Sequence, residues 1–120
     1  MTAQAIPNEV LSTTEWTDIC SLYEITGDTG VCALYNNEQV AIFRPRQSDD
    51  LYAISNFDPF SKANVLSRGL LGSTEDKLFV ASPLYKQKFN LATGECLDDD
   101  SVKLKTYKVR VDNGFVQLSL

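Results

Sequence analysis

The sequence predicts an all-β domain, an antiparallel β-sandwich or barrel, from three observations. Short Val-, Ile-, Phe- and Tyr-rich runs are separated by Gly, Asn, Asp and Pro along most of the chain. Two tight hairpin signals, Asn36-Asn37 and Asn113-Gly114, join such runs, because Asn and Gly tolerate the positive φ that two-residue hairpin turns demand. Before the second turn, Tyr107, Val109 and Val111 alternate with Lys108 and Arg110, a period of two that sends one face to a core and the other to water.

Taken in order, residues 1–15 form an N-terminal tail and 16–120 a single domain. Within the tail, Ser12-Thr13-Thr14-Glu15 fits a capping box and predicts a helical turn, with Trp16 anchoring the chain to the barrel. Strands are expected at 17–20, 31–35, 39–44, 51–55, 77–82, 88–91, 105–111 and 115–120. In the last of these, Val116, Leu118 and Leu120 are expected to face inward. The span 57–76 resists a strand reading.

Composition sets the limits. With 120 residues, 43% of them hydrophobic and 22% charged, one domain can bury a core without metal or disulfide staples. Eleven Lys and Arg against sixteen Asp and Glu give a net charge of −5, the wrong sign for gripping phosphate backbones or an anionic membrane. The charge is uneven: residues 1–60 hold two basic and nine acidic side chains, residues 61–120 nine basic and seven acidic. There is no histidine, which removes imidazole as a base, proton shuttle or metal ligand. Cys20, Cys32 and Cys96 are odd in number and form no CxxC pair, so they read as small buried apolar residues. No Lys or Arg precedes an apolar block near the start, and no apolar run approaches a signal or spanning length, so a cytoplasmic protein is expected.

Candidate chemistry is thin. Ser82 with Lys86, or Ser61 beside Lys62, supplies the letters of a Ser–Lys nucleophile without a recognised spacing. Asp49-Asp50 and Asp98-Asp99-Asp100 read as solvated loop carboxylates, and the latter lacks the alternating ligands of an EF-hand. The glycines form no phosphate-cradling loop. No catalytic, cofactor-binding or metal-binding residue is therefore assigned. Two loops that follow expected strands stand out instead: Asn56-Phe57-Asp58-Pro59-Phe60 and Ser82-Pro83-Leu84-Tyr85-Lys86. Apolar side chains on Pro-stiffened loops suit a protein interface, since Pro lowers the entropy lost on docking. Equally, the rings can fold back into the core; high exposure favours docking and full burial favours internal repair.

The same segments carry a resemblance. Ala53-Ile54-Ser55-Asn56 leading into Asp58-Pro59-Phe60, then Leu66-Ser67-Arg68-Gly69, and later Ser82-Pro83-Leu84-Tyr85-Lys86-Gln87-Lys88-Phe89-Asn90-Leu91 with Thr93-Gly94, resemble the two-loop framework of Rieske-type ferredoxin domains. In that family C-x-H and C-x-x-H hold a [2Fe–2S] cluster through two thiolates and two imidazoles. By the resemblance, Asp58 and Phe60 stand at the first pair and Ser82 and Tyr85 at the second, so the fold is expected to be Rieske-like with two former cluster-binding loops and no cluster. Further strings, among them Gly30-Val31-Cys32-Ala33-Leu34, Gln39-Val40-Ala41-Ile42-Phe43-Arg44-Pro45 and Gly94-Glu95-Cys96-Leu97, make the chain similar to the small-subunit family of NADH-dependent assimilatory nitrite reductases.

That resemblance implies a large-subunit partner carrying FAD, an iron–sulfur cluster and siroheme, which reduces nitrite to ammonium. It implies a non-catalytic docking and stabilising role for this chain and no electron relay through it. The expected partner-binding residues are Phe57, Asp58, Pro59, Phe60, Pro83, Leu84, Tyr85 and Lys86. The alternative is a cluster-free adaptor in another oxidoreductase complex, because fold does not fix function.

Overall fold

Val40, Ala41, Ile42 and Phe43 are an unbroken apolar run and all four are fully buried, which marks a strand covered on both faces. The computed structural model describes residues 15–47 and 50–120, so most of the capping-box motif, and Asp49, lie outside the described residues. Within them the strands are β1 (Thr17–Ser21), β2 (Thr29–Tyr35), β3 (Glu38–Arg44), β4 (Tyr52–Ser55), β5 (Phe57–Asp58), β6 (Ala63–Asn64), β7 (Leu70–Thr74), β8 (Lys77–Ala81), β9 (Lys88–Asn90), β10 (Thr106–Asp112) and β11 (Phe115–Ser119). Every pairing is antiparallel. Strands in the order β1-β11-β10-β4-β3-β2 form one sheet, β7-β8-β9 a second and β5-β6 a ribbon.

The buried strand β3 is the wall between two cores. Ala41 and Phe43 point toward β7-β8-β9 and pack with Ile54, Leu66, Val80, Phe89, Leu91, Cys96 and Leu104. Val40 and Ile42 point the other way, to Ile25, Tyr35, Ala53, Tyr107, Val116 and Leu118. The alternation of a β-strand thus lets one segment serve two cores.

All eight expected strands occur, with ends shifted by no more than two residues. Both hairpin signals hold: Asn36 and Asn37 have φ of 52° and 63°, and Asn113 and Gly114 have φ of 52° and 79°, the positive values of a type I′ turn. Arg110 lies 4.4 Å over the Trp16 ring, which ties the start of the domain to β10.

Three expectations need correction. The span 57–76, which resists a strand reading in sequence, holds β5, β6 and β7. Strand β7 carries Gly72 in its interior and ends at Glu75-Asp76, which adopt φ of 49° and 69° and so make a third type I′ hairpin from residues with little turn signal. Leu120 does not face the core, because β11 ends at Ser119 and the last residue stands exposed. Of the three cysteines only Cys96 is buried; Cys20 is partly covered and Cys32, near the β2 edge, is exposed.

Candidate functional site

The first notable loop leaves β4 through Asn56, a buried residue whose polar atoms are spent on clamping the loop to the sheet. Its backbone N–H donates to the Gln39 carbonyl at 3.0 Å, and its own carbonyl accepts the Leu66 N–H at 3.2 Å. Its side-chain Oδ1 accepts the Ser67 N–H at 2.7 Å, and Nδ2 donates to Gln39 Oε1 at 3.0 Å. Both ends of the loop are therefore held at one point. On the far side, the short 3-10 turn Leu66–Arg68 lies against Gly30 of β2, where a Cβ would run into the Phe43 ring and the Ser67 carbonyl. The missing side chain at Gly30 lets the loop approach the sheet.

The two loops repeat one geometry. In Asp58-Pro59-Phe60-Ser61-Lys62 the Asp58 carboxylate accepts the Phe60 N–H at 2.9 Å, and the Lys62 N–H closes the turn on the Asp58 carbonyl at 2.7 Å. In Ser82-Pro83-Leu84-Tyr85-Lys86 the Ser82 hydroxyl oxygen accepts the Leu84 N–H at 3.3 Å, and the Lys86 N–H closes on the Ser82 carbonyl at 3.1 Å. Each turn ends on a lysine with positive φ, 59° at Lys62 and 66° at Lys86. The repeated pattern of an oxygen-bearing residue, Pro, an apolar residue, any residue and Lys is visible in the sequence, 24 residues apart. Its meaning appears only in three dimensions. The Ser82 hydroxyl donates to Asp58 Oδ2 at 2.6 Å, and the Ser61 hydroxyl donates to the same oxygen at 3.0 Å. Asp58 is 0% and Ser82 1% exposed, so the two loops are joined directly by a buried hydrogen bond.

This places the eight expected partner-binding residues in three groups. Asp58 is wholly buried, with its carboxylate turned inward, so it supports the tips and does not present itself to a partner. Pro59 and Phe60 are half-buried, and the Phe60 ring tilts at 45° against Phe89 with centroids 6.2 Å apart. Phe57, Leu84 and Tyr85 are 42%, 52% and 61% exposed, and Pro83 and Lys86 are exposed with them. Of the two readings, internal repair describes Phe60, and exposure describes Phe57, Leu84 and Tyr85. Phe57 also shares an open groove with Leu34 of β2, an exposed leucine not singled out from sequence.

The donor set does not fit a [2Fe–2S] cluster. At the four places that the resemblance aligns with cluster ligands, Asp58 and Ser82 are hydrogen-bonded to each other, Phe60 offers only carbon, and Tyr85 is a hard phenol. Among the described residues no three His, Cys, Asp or Glu side chains gather as metal ligands. Partial burial pushes the Cys20 thiol up, with the Glu24 carboxylate adding to it. Crowding by its neighbours likewise pushes Cys32 up, against the pull of Arg68. Neither is an activated thiolate. The Ser82 and Ser61 hydroxyls both donate to Asp58, and Lys86 bonds Ser82 through backbone, so neither serine has a lysine as its hydroxyl partner. Asp98 caps the Lys88 N–H at 2.8 Å. Asp99 accepts both the hydroxyl and N–H of Ser101, which hold its carboxyl below the usual value.

Beside the first loop lies one strongly perturbed pair. The Tyr107 hydroxyl donates to Glu38 Oε1 at 2.7 Å, and the Lys105 ammonium sits 3.2 Å from the same oxygen. These partners hold Glu38 below the usual carboxylate value. Burial, then the Glu38 bond and charge and the neighbouring Tyr35, push Tyr107 well above the ordinary phenol range. The pair pins the turn end of the β2–β3 hairpin to β10.

Comparison with known proteins agrees with this geometry. The profile of the Rieske-like [2Fe-2S] domain family matches residues 15–119. The nitrite reductase (NADH) small subunit of Escherichia coli strain K12 is 53% identical over 104 residues, covering 87% of this chain and 96% of that protein. The NMR structure of the E. coli protein NirD superposes with a TM-score of 0.84 at 51% identity, over 90% of this chain and 98% of the other. A stretch of the nitrite reductase [NAD(P)H] large subunit of Klebsiella oxytoca is 42% identical over 101 residues, covering 84% of this chain but only 10% of that much longer protein.

Proposed function

Because the chain belongs to the family of NADH nitrite reductase small subunits, built on a Rieske-like domain, we propose that it docks on a nitrite reductase large subunit and stabilises it, taking no part in the chemistry itself. The large chain would carry the FAD, iron–sulfur cluster and siroheme that move electrons from NADH to nitrite, in the cytoplasm where NADH is available. The small chain contributes shape. Its two loops, bonded to each other through Asp58 and Ser82, hold Phe57, Leu84 and Tyr85 outward on a stiff base.

The exposed, mutually braced tip is the observation that carries this reading. Tips that face an electron partner when they hold a cluster become a standing contact face once apolar groups replace the metal. The Klebsiella large subunit adds support, since a domain of this kind is part of its own polypeptide and is thereby kept beside the rest of that chain. A standard interface needs about 800 Å² per partner, within reach of two loops and their neighbours.

Purifying the large subunit with this full chain, and with its Leu84→Ala and Tyr85→Ala variants, tests the proposal. If either residue is an anchor, truncation weakens the complex by about 1–4 kcal/mol, and NADH-dependent nitrite turnover and thermal stability fall with complex yield. Unchanged yield, turnover and stability would remove the tips from the interface.

A further inference from the structure

We infer that the partner face receiving the two loop tips is acidic: apolar pockets for Leu84 and Tyr85, edged by carboxylates that meet Lys62 and Lys86. The inference rests on the docking proposed above and adds the chemistry of the surface that the tips meet.

The chain as a whole is anionic, yet residues 59–94 carry five basic side chains and two acidic ones, leaving six basic against fourteen acidic elsewhere. The two acids, Glu75 and Asp76, are the turn of the β7–β8 hairpin. Leu70 and Ala81 pair at the other end of that hairpin, next to the second loop, and Leu70 is 77% exposed there. Lys62 and Lys86 each close a tip turn at positive φ, a conformation that Gly or Asn adopts with less strain. Each loop thus carries one cation at an equivalent place beside its apolar residues, and Arg68 follows in the 3-10 turn that ends the first loop.

Among the described residues Lys62, Arg68 and Lys86 have no ion-pair partner. Lys88 differs, since its ammonium lies 5.2 Å over the Phe79 ring and its N–H is capped by Asp98. A positive, apolar end on a molecule of net charge −5 orients an approaching partner: the cationic tip is drawn to an acidic face while the rest of the surface is repelled from it. The overall negative charge disfavours a nucleic acid or an anionic lipid surface as the occupant.

Association of the full chain with purified large subunit, measured at about 50 and about 300 mM NaCl, tests this, because the Debye length shortens about 2.4-fold over that range. The expected result is an association rate that falls roughly tenfold with salt and falls as much again in the K62E/K86E variant at low salt, while K108E, on β10 away from the tips, binds as the parent does. Thermal melts confirm that the variants are folded, and the salt series on the unaltered chain needs no variant. Binding that survives with a salt-independent rate, or K62E/K86E binding as tightly as the parent, would overturn the acidic face and leave the docking loops standing. No binding at either salt concentration would overturn both.

Discussion

Ser82 donates its one hydroxyl hydrogen bond to Asp58, at the two positions that the family resemblance aligns with cluster thiolates. This short hydrogen bond to a buried carboxylate joins the two loops directly. Removing it with Ser82→Ala leaves a buried acceptor short of a donor, so the fold should lose about 1–3 kcal/mol in denaturant unfolding. Ser61→Ala, which removes the longer and less buried bond to the same oxygen, should cost less. Equal losses would deny the Asp58–Ser82 bond its special place.

Glu38 and Tyr107 make a second residue-scale prediction. Glu38 is held below its ordinary value, so its contribution is present at neutral pH and lost as pH falls through the carboxylate range. Tyr107 is pushed up, so its contribution is complete below about pH 10, the ordinary phenol value, and is lost as pH rises beyond it. Melting temperature against pH should therefore drop at both ends. Tyr107→Phe should flatten the alkaline drop and shrink the acid one, and an alkaline limb unchanged in that variant would contradict the assignment. The role of Asp58 itself was only half legible from sequence: its place in the loop was clear, but its inward turn depends on Ser61 and Ser82, which lie three and 24 residues away.

At the scale of elements, strands were legible where side-chain alternation or Asn and Gly turns marked them, as in β2–β3 and β10–β11. Strand β7 was not, because Leu-Leu-Gly-Ser-Thr gives little alternation and its turn is built from Glu75-Asp76. That turn adopts a conformation its residues do not favour. Replacing it by the E75N/D76G pair should relieve the strain and raise stability by roughly 1 kcal/mol, read as a higher melting temperature. A fall would mean that the two carboxylates do something beyond turning the chain. The five-residue loop repeat belongs to this scale too, for neither copy alone suggests that both close on a lysine and face each other.

For the whole molecule, β3 sets the plan by walling off two cores, and the loops emerge from the core that Ala41 and Phe43 share with β7-β8-β9, where Phe60 packs on Phe89 and the exposed apolar groups stand beyond it. The all-β class and the two-loop framework were readable from the residues; the division of the eight expected contact residues into buried support and exposed tip required coordinates. Hydrogen–deuterium exchange of the full chain, free and bound to the large subunit, addresses the central claim most directly. Protection on binding should concentrate at residues 57–62 and 83–88, the tips and their flanks. Protection confined to other strands, with both tips exchanging as fast as in the free chain, would contradict the account.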